Sequence, residues 1–220
     1  MPQAITTLLG KPFEILSGSV FTYLLINIMT QIFWFFGIHG GMTVGTIQNL
    51  LFTEATLENI AAAEAGIALP NILTTGFTSL FGPAGTWLSC CVVLIFVAKR
   101  EDLKIIGRLS FLPSVFNITE PLRFGLPLVL NPVLFIPSVF IMPLNLLLTY
   151  IVVSLGVVSR PRIANVFGTP FLLESFAMGG VSAVIWTILM FILNIILWIP
   201  FIKMLETEKN REDAQTEELA

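Results

Sequence analysis

Ser175–Ile202, SFAMGGVSAVIWTILMFILNIILWIPFI, runs for 28 positions without an Asp, Glu, Lys or Arg. Within it, Val181–Pro200 is apolar on consecutive positions. A membrane β-barrel would instead show segments of about ten residues alternating apolar and polar. A helix crosses a hydrocarbon core of about 30 Å with about 20 apolar residues, so this stretch is long enough to span. Three further charge-free runs lie upstream: 39 residues between Glu14 and Glu54, 34 at 65–98 and 36 at 124–159. The four runs cover 137 of 220 positions. Charged residues make up 11% of the chain, against about 25% in soluble domains. Mean hydropathy is +0.91. The chain therefore reads as an all-α, polytopic helical membrane protein, and a soluble enzyme is excluded. A net charge of −3 argues against nucleic acid as a partner.

The runs do not all read as simple crossings. As one straight helix, 39 residues would extend about 58 Å, nearly twice the core, so part of that run must be loop, re-entrant hairpin or interfacial helix. Val20–Ile38 is the first crossing expected, ending at Gly37-Ile38-His39-Gly40-Gly41. Thr53–Gly66, with Glu54, Glu58 and Glu64, reads as a short helix or loop outside the core. Run 65–98 is interrupted by Pro70 and by Gly82-Pro83-Ala84-Gly85, leaving two pieces of marginal length that together could supply one crossing. Between 109 and 143, prolines recur at 113, 121, 127, 132, 137 and 143, which predicts no continuous helix there. Leu144–Val158 and Val181–Ile202 are expected as conventional crossings, separated by Arg160, Arg162 and the break Phe167-Gly168-Thr169-Pro170. These interruptions predict broken or re-entrant helical hairpins. Lys99, Arg100, Lys104 and Arg108 place their loop in the cytoplasm by the positive-inside bias. Basic residues at 160–162 and 203–211 flank a single crossing, which leaves that part of the orientation open. The charged stretch 203–220 reads as a solvated tail after the membrane-embedded region 1–202. Met1–Gly10 lacks a basic region and a long apolar run, so no removable signal peptide is expected.

Ionisable groups at membrane depth are expensive and therefore functional candidates. Here they are His39, Glu120 and Arg123, with Glu174 nearer a segment edge. His39 lies among glycines that allow close backbone approach, directly after the aromatic run Phe33-Trp34-Phe35-Phe36. The alternative is a His satisfied by a backbone carbonyl at a helix end. Glu120 precedes Pro121, which predicts a half-helix starting there with Glu120 near its N-cap, and Asn117 and Thr119 add polar groups to the turn. Arg123, three residues on, could pair with Glu120 across one helical turn. Broken apolar helices carrying polar groups point to a transporter's substrate site. A carboxylate, an imidazole and aromatic faces suit a sugar. One His without neighbouring ligands makes a metal site improbable, and adjacent Cys90 and Cys91 in an apolar run read as buried thiols.

The run Trp34-Phe35-Phe36-Gly37-Ile38-His39-Gly40, then Asn117-Ile118-Thr119-Glu120-Pro121-Leu122-Arg123-Phe124-Gly125-Leu126-Pro127 and Asn131-Pro132-Val133-Leu134-Phe135-Ile136-Pro137, resembles one family. It is the enzyme IIC of the bacterial phosphotransferase system, lactose/cellobiose (N,N'-diacetylchitobiose) class. The resemblance runs through essentially the whole chain but corresponds to about the C-terminal half of a full member. It implies a multi-pass sugar permease of the bacterial cell (inner) membrane. His39 and Glu120 would bind the hydroxyl to be phosphorylated, Asn117 and Thr119 would help bind the sugar, and Phe167 would offer an aromatic face. Glu120 would act as general base when that hydroxyl attacks the phosphocysteine of a separate enzyme IIB. No catalytic phosphocysteine, cofactor or metal is implied in this chain. The implied partners are a disaccharide, enzyme IIB, the lipid bilayer and, in the intact family member, a second copy forming a homodimer. Three positions depart from the family pattern: Thr119 stands where Asn is usual, Arg123 where an apolar residue is usual, and Phe167-Gly168-Thr169-Pro170 replaces a Trp-Thr-Thr-Pro-like motif, so Arg123 would tune or claim Glu120. Two other readings stay open. One is a truncated, non-transporting subunit or remnant, and the other is a proton-coupled transporter without phosphorylation.

Overall fold

A computed structural model describes residues 18–219, which fold into helices and irregular segments with no strand among them. The stretch Met1–Gly10 lies outside the described residues. Helix α1, Val20–Phe35, starts on Ser19, whose hydroxyl accepts the Thr22 N–H. It stops three residues before the expected end, because Gly37 turns left-handed at φ 78°. The Gly37 and Ile38 N–H groups then donate back to the carbonyls of Trp34 and Phe33, at 3.0 and 2.9 Å, closing a Schellman end.

Helix α2, Gly40–Glu64, contains most of the segment expected as a separate short element. Phe52, Thr56, Asn59 and Ala62 form its buried stripe, while Glu54, Glu58 and Glu64 face outward. That helical spacing lets one helix serve both as packing surface and as polar rim. Near its C-terminal end, the Asn59 side-chain amide donates to the Asn71 and Pro161 carbonyls at 2.8 and 2.7 Å. Arg160 donates to the Leu69 and Pro70 carbonyls. Loops 65–76 and 155–165 are thus joined at one end of the molecule.

The route through 65–98 is made in two pieces, as its interruptions predict. An irregular segment with the 3-10 turn Phe77–Leu80 enters the interior, and helix α3, Pro83–Phe96, completes the passage. Its 14 residues span only about 21 Å. Irregular backbone at this depth survives because protein covers it: Thr74, Phe77, Ser79, Leu80 and Phe81 are all fully buried. Helix α4, Glu101–Val115, folds back on α3 with Gly107 packed against Leu94 and Cys91. Cys90 and Cys91 are buried free thiols in this hairpin.

Helix α5, Glu120–Gly125, and helix α6, Pro132–Ser154, follow. The run 109–143 is broken as expected at 116–119 and 126–131, but α6 begins twelve residues before the predicted Leu144 and carries Pro137 and Pro143 inside it. Asn131 caps it by accepting the Val133 and Leu134 N–H groups. Both internal prolines are buried, and membrane helices tolerate a lost backbone donor where protein covers it. Helix α7, Phe171–Leu219, is bent at Gly180 (φ 70°, ψ −153°), separating a short arm, 171–179, from a long one. Helix α6 and the Phe171–Thr216 part of α7 are long and apolar enough to cross a membrane. Thr86 ties α3 to both: its hydroxyl accepts from Asn145 at 2.9 Å and Asn194 at 3.4 Å, and its carbonyl accepts from Trp198.

The charged tail is not simply solvated. Helix α7 continues through it, and Glu206 is 8% exposed, accepting the Lys99 and Arg100 N–H groups at 2.5 and 2.8 Å. Lys209 pairs with Asp102 at 2.8 Å and Arg100 with Asp213 at 2.6 Å. The Arg100 guanidinium beside Asp102 holds its carboxyl well below the usual carboxylate range. The tip of the α3–α4 hairpin is therefore clasped to α7, at the end opposite Asn59 and Arg160. Sequence could not reveal this, because the partner charges are about 107 positions apart. Glu206→Ala removes the acceptor for two backbone N–H groups, and a hydrogen bond to a charged group is worth about 1.5–3 kcal/mol. A clearly lower unfolding temperature is expected in a detergent thermal scan, and wild-type melting would show that the clasp contributes nothing.

Candidate functional site

Three breaks in apolar helices converge: 36–39 between α1 and α2, 116–119 before α5, and the loop leading to α7. His39 closes the first as the N-cap of α2, its Nδ1 accepting the Met42 N–H at 3.1 Å. That bond fixes the neutral tautomer, since an accepting Nδ1 leaves the ring proton on Nε2. Nε2 faces Glu120 Oε1 at 3.3 Å, joining residues 81 apart. The imidazole also lies 4.3 Å, centroid to centroid, from the Trp34 ring. The reading of His39 as a helix-end residue and its reading as a site residue therefore both apply.

Glu120 sits at the first position of α5, with Thr119 as N-cap. This helix is only six residues long, so the carboxylate is oriented by His39 rather than by an extended helix dipole. Its second oxygen, Oε2, is buried without a hydrogen-bond partner among the described residues. The pairing of Arg123 with Glu120 is not made: among the described residues, the side chain that meets the Glu120 carboxylate is the neutral His39. Arg123 is instead held between two indoles, 4.4 Å from the Trp34 centroid and 4.0 Å from that of Trp87. Its Nε donates to Thr119 Oγ1 at 3.1 Å.

Asn117 adopts φ 64°, a left-handed conformation that Asn tolerates better than most residues. Its amide nitrogen donates to the Thr169 carbonyl at 3.0 Å and to Glu174 Oε2 at 2.6 Å. Glu174 lies at the centre rather than at a segment edge. It is 2% exposed, and its Oε1 accepts from Ser79 at 2.6 Å and Asn165 at 2.9 Å. The bend at Gly180 turns the short arm of α7 inward and carries Glu174 with it.

A cavity of about 170 Å³ opens among Asn117, Thr119, Arg123, Phe167 and Glu174, with Trp87, Met142 and Asn165 completing the wall. This volume is below the roughly 300–1,000 Å³ of typical small-molecule sites, so a guest would lie partly outside it. Five residues singled out in the sequence thus share one cavity, and Thr119 connects it to the His39–Glu120 pair, Glu120 being next in the chain. Phe167 is 77% exposed, so its ring is available on that wall. Trp87 and Asn165 carried no signal in the sequence, one lying in an apolar run and the other in a loop. Glu174 did carry one, as a carboxylate beside a charge-free run.

The described geometry matches known proteins. A family model for the phosphotransferase system EIIC matches residues 2–141. The chain belongs to this family. It is 34% identical to the IIC component YwbA of Bacillus subtilis, over 98% of this chain and 50% of that protein. Against the lichenan permease IIC component of Bacillus subtilis identity is 32%, over 97% of this chain and 48% of the relative. The crystal structure of ChbC, the IIC component from the N,N'-diacetylchitobiose-specific phosphotransferase system, superposes with a TM-score of 0.89 at 30% identity, covering 96% of this chain and 50% of ChbC. This EIIC chain spans about half the length of the relatives it matches. Membership fits the all-helical, broken-helix architecture read from the sequence.

Proposed function

We propose that this EIIC chain is the substrate-binding, membrane-embedded part of a phosphotransferase-system permease for a disaccharide of the cellobiose, lactose or diacetylchitobiose type. The observation that carries the reading is the His39–Glu120 contact beside the cavity, with an unsatisfied carboxylate oxygen. In this reading the region up to 202 holds the sugar in the bilayer, and the stretch from 203 is the helical clasp. Asn117, Thr119 and Phe167 line the sugar's bed. Relatives include cellobiose-specific EIIC components and lactose-specific EIICB components, and the latter names support enzyme IIB as the phosphoryl donor.

The chemistry is base-assisted phosphoryl transfer. The sugar hydroxyl oxygen attacks the phosphorus of the enzyme IIB phosphocysteine. The new O–P bond forms as the P–S bond breaks, leaving a thiolate, and the hydroxyl proton passes to the Glu120 carboxylate. His39 Nε2–H holds Oε1, which leaves Oε2 for that proton. Arg123 acts on Glu120 through its field, one helical turn away, rather than by contact. The end bearing Lys99, Arg100, Lys104, Arg108, Lys203, Lys209 and Arg211 faces the cytoplasm, where enzyme IIB acts, and the end with Arg160, Arg162 and the α2 glutamates faces outward. The intact permease is a homodimer in the cell membrane.

Calorimetric titration of cellobiose, lactose and diacetylchitobiose tests this reading, using this chain alone and joined to a relative's N-terminal half. Binding of one of them is expected. His39→Asn keeps an N-cap oxygen but is too short to reach Glu120, so affinity should fall about tenfold or more, a charge-assisted hydrogen bond being worth about 1.5–3 kcal/mol. No binding in either form of the protein, or full affinity in the variant, would refute the assignment.

A further inference from the structure

Arg123 is a cavity residue with unused hydrogen-bonding capacity. It is 6% exposed, yet no carboxylate lies within 4.0 Å of it among the described residues. Its guanidinium carbon lies 4.4 Å from the Trp34 ring centroid and 4.0 Å from that of Trp87. A guanidinium carries five N–H donors. Here Nε donates to Thr119 at 3.1 Å and Nη1 reaches Gln31 Oε1 only at 3.4 Å, while Nη2 meets no acceptor among the described residues. The protein does offer a carboxylate in the same cavity, but Glu174 is already supplied by Ser79, Asn117 and Asn165. The donors of Arg123 are thus left for whatever enters.

The charge of the surroundings narrows the guest. Glu174 lines the cavity and Glu120 lies one turn from Arg123, so an anionic guest would meet two carboxylates for one guanidinium. A neutral polyol offers oxygen acceptors without that repulsion. The two N–H groups of Nη2 point in fixed directions within the guanidinium plane and can reach two oxygens on adjacent carbons, which a freely rotating lysine ammonium does not pre-arrange. We propose that Arg123 is a specificity-determining residue of the sugar site, its Nη2 edge donating to neighbouring ring hydroxyl oxygens of a neutral disaccharide. This assignment rests on the permease reading above.

The test is calorimetric titration of wild type, Arg123→Lys and Arg123→Met with cellobiose, its monodeoxy analogues and its C6-oxidised uronic acid. Methionine keeps an apolar stem between the indoles, and lysine keeps the charge without the fork. Both variants should bind cellobiose about tenfold to a hundredfold more weakly, as loss of charge-assisted hydrogen bonds implies. In wild type, one or two deoxy analogues should lose about tenfold, and this discrimination should vanish in both variants. A merely structural Arg123 would lower affinity for every analogue by the same factor, and that result overturns the proposal. Tighter wild-type binding of the uronic acid than of cellobiose also overturns it. If one variant fails to fold, the other carries the comparison. Wild type binding none of the disaccharides would instead overturn the permease reading itself.

Discussion

Glu120→Gln is expected to cut phosphoryl transfer to the sugar by about 10²- to 10⁴-fold, the usual contribution of a general base, while sugar affinity changes far less. The asymmetry follows from the tautomer of His39. Because Nδ1 accepts the Met42 N–H, the ring proton sits on Nε2 and points at Glu120 Oε1. A glutamine places a carbonyl oxygen at that position and still accepts this proton, so the His39 contact and the turn at 117–120 persist. The other terminal atom decides the outcome. Glu120 Oε2 is buried and has no hydrogen-bond partner among the described residues. In glutamine it becomes an NH₂ group, which can donate to a sugar hydroxyl but cannot take its proton. Binding should therefore survive within about tenfold, one neutral hydrogen bond being worth about 0.5–1.5 kcal/mol, and catalysis should not. The measurement is sugar phosphate formed in vesicles containing the permease and phosphorylated enzyme IIB, beside calorimetric affinity for the same variant. A wild-type rate with Gln at this position would remove Glu120 from the proton transfer.

Much of this site was legible in the sequence because membrane burial is a statement about composition. A charge that remains inside an apolar run stands out, and His39, Glu120, Arg123 and Glu174 all did. The breaks were legible too, since Gly37, Asn117, Pro121 and Pro170 mark where a helix cannot continue its hydrogen bonds. What could not be read was which break meets which. His39 and Glu120 are 81 positions apart, and only the resemblance to a family put them together in advance. The pairing suggested by local spacing, Glu120 with Arg123, gave way to a distant indole pair that no helical periodicity announces. Pro137 and Pro143 were read as interruptions because a proline removes a backbone donor. Inside α6 they are buried among neighbours, which the sequence around them does not show. Glu174 looked peripheral along the chain, and the bend at Gly180 makes it central.

The glycines around His39 illustrate the same limit, and one of them carries the second large prediction. Read from the sequence, they let backbone approach a ligand. At Gly40 the close approach is instead to the protein itself. A Cβ there would overlap the Thr30 carbonyl oxygen and stand 2.8 Å from its carbon and 3.0 Å from Trp34 Cδ1. The two nearest atoms belong to the backbone of α1, so no side-chain rotation relieves the clash. Gly40→Ala must therefore push the start of α2 away from α1. His39 is the preceding residue and must move with it, away from a partner only 3.3 Å distant. Overpacking usually costs about 1–3 kcal/mol where neighbours can yield; against backbone the upper end or more is expected. Gly40→Ala should therefore lower the unfolding temperature and abolish detectable sugar binding together. Gly45 is the internal control on the same helix. A Cβ there meets nothing within 4 Å among the described residues, and alanine in a helix interior is favoured over glycine by about 1 kcal/mol. Gly45→Ala should melt no lower than wild type and bind sugar unchanged. Equal behaviour of the two variants would mean that α1 and α2 are not in this close contact, and the placement of His39 opposite Glu120 would lose its support.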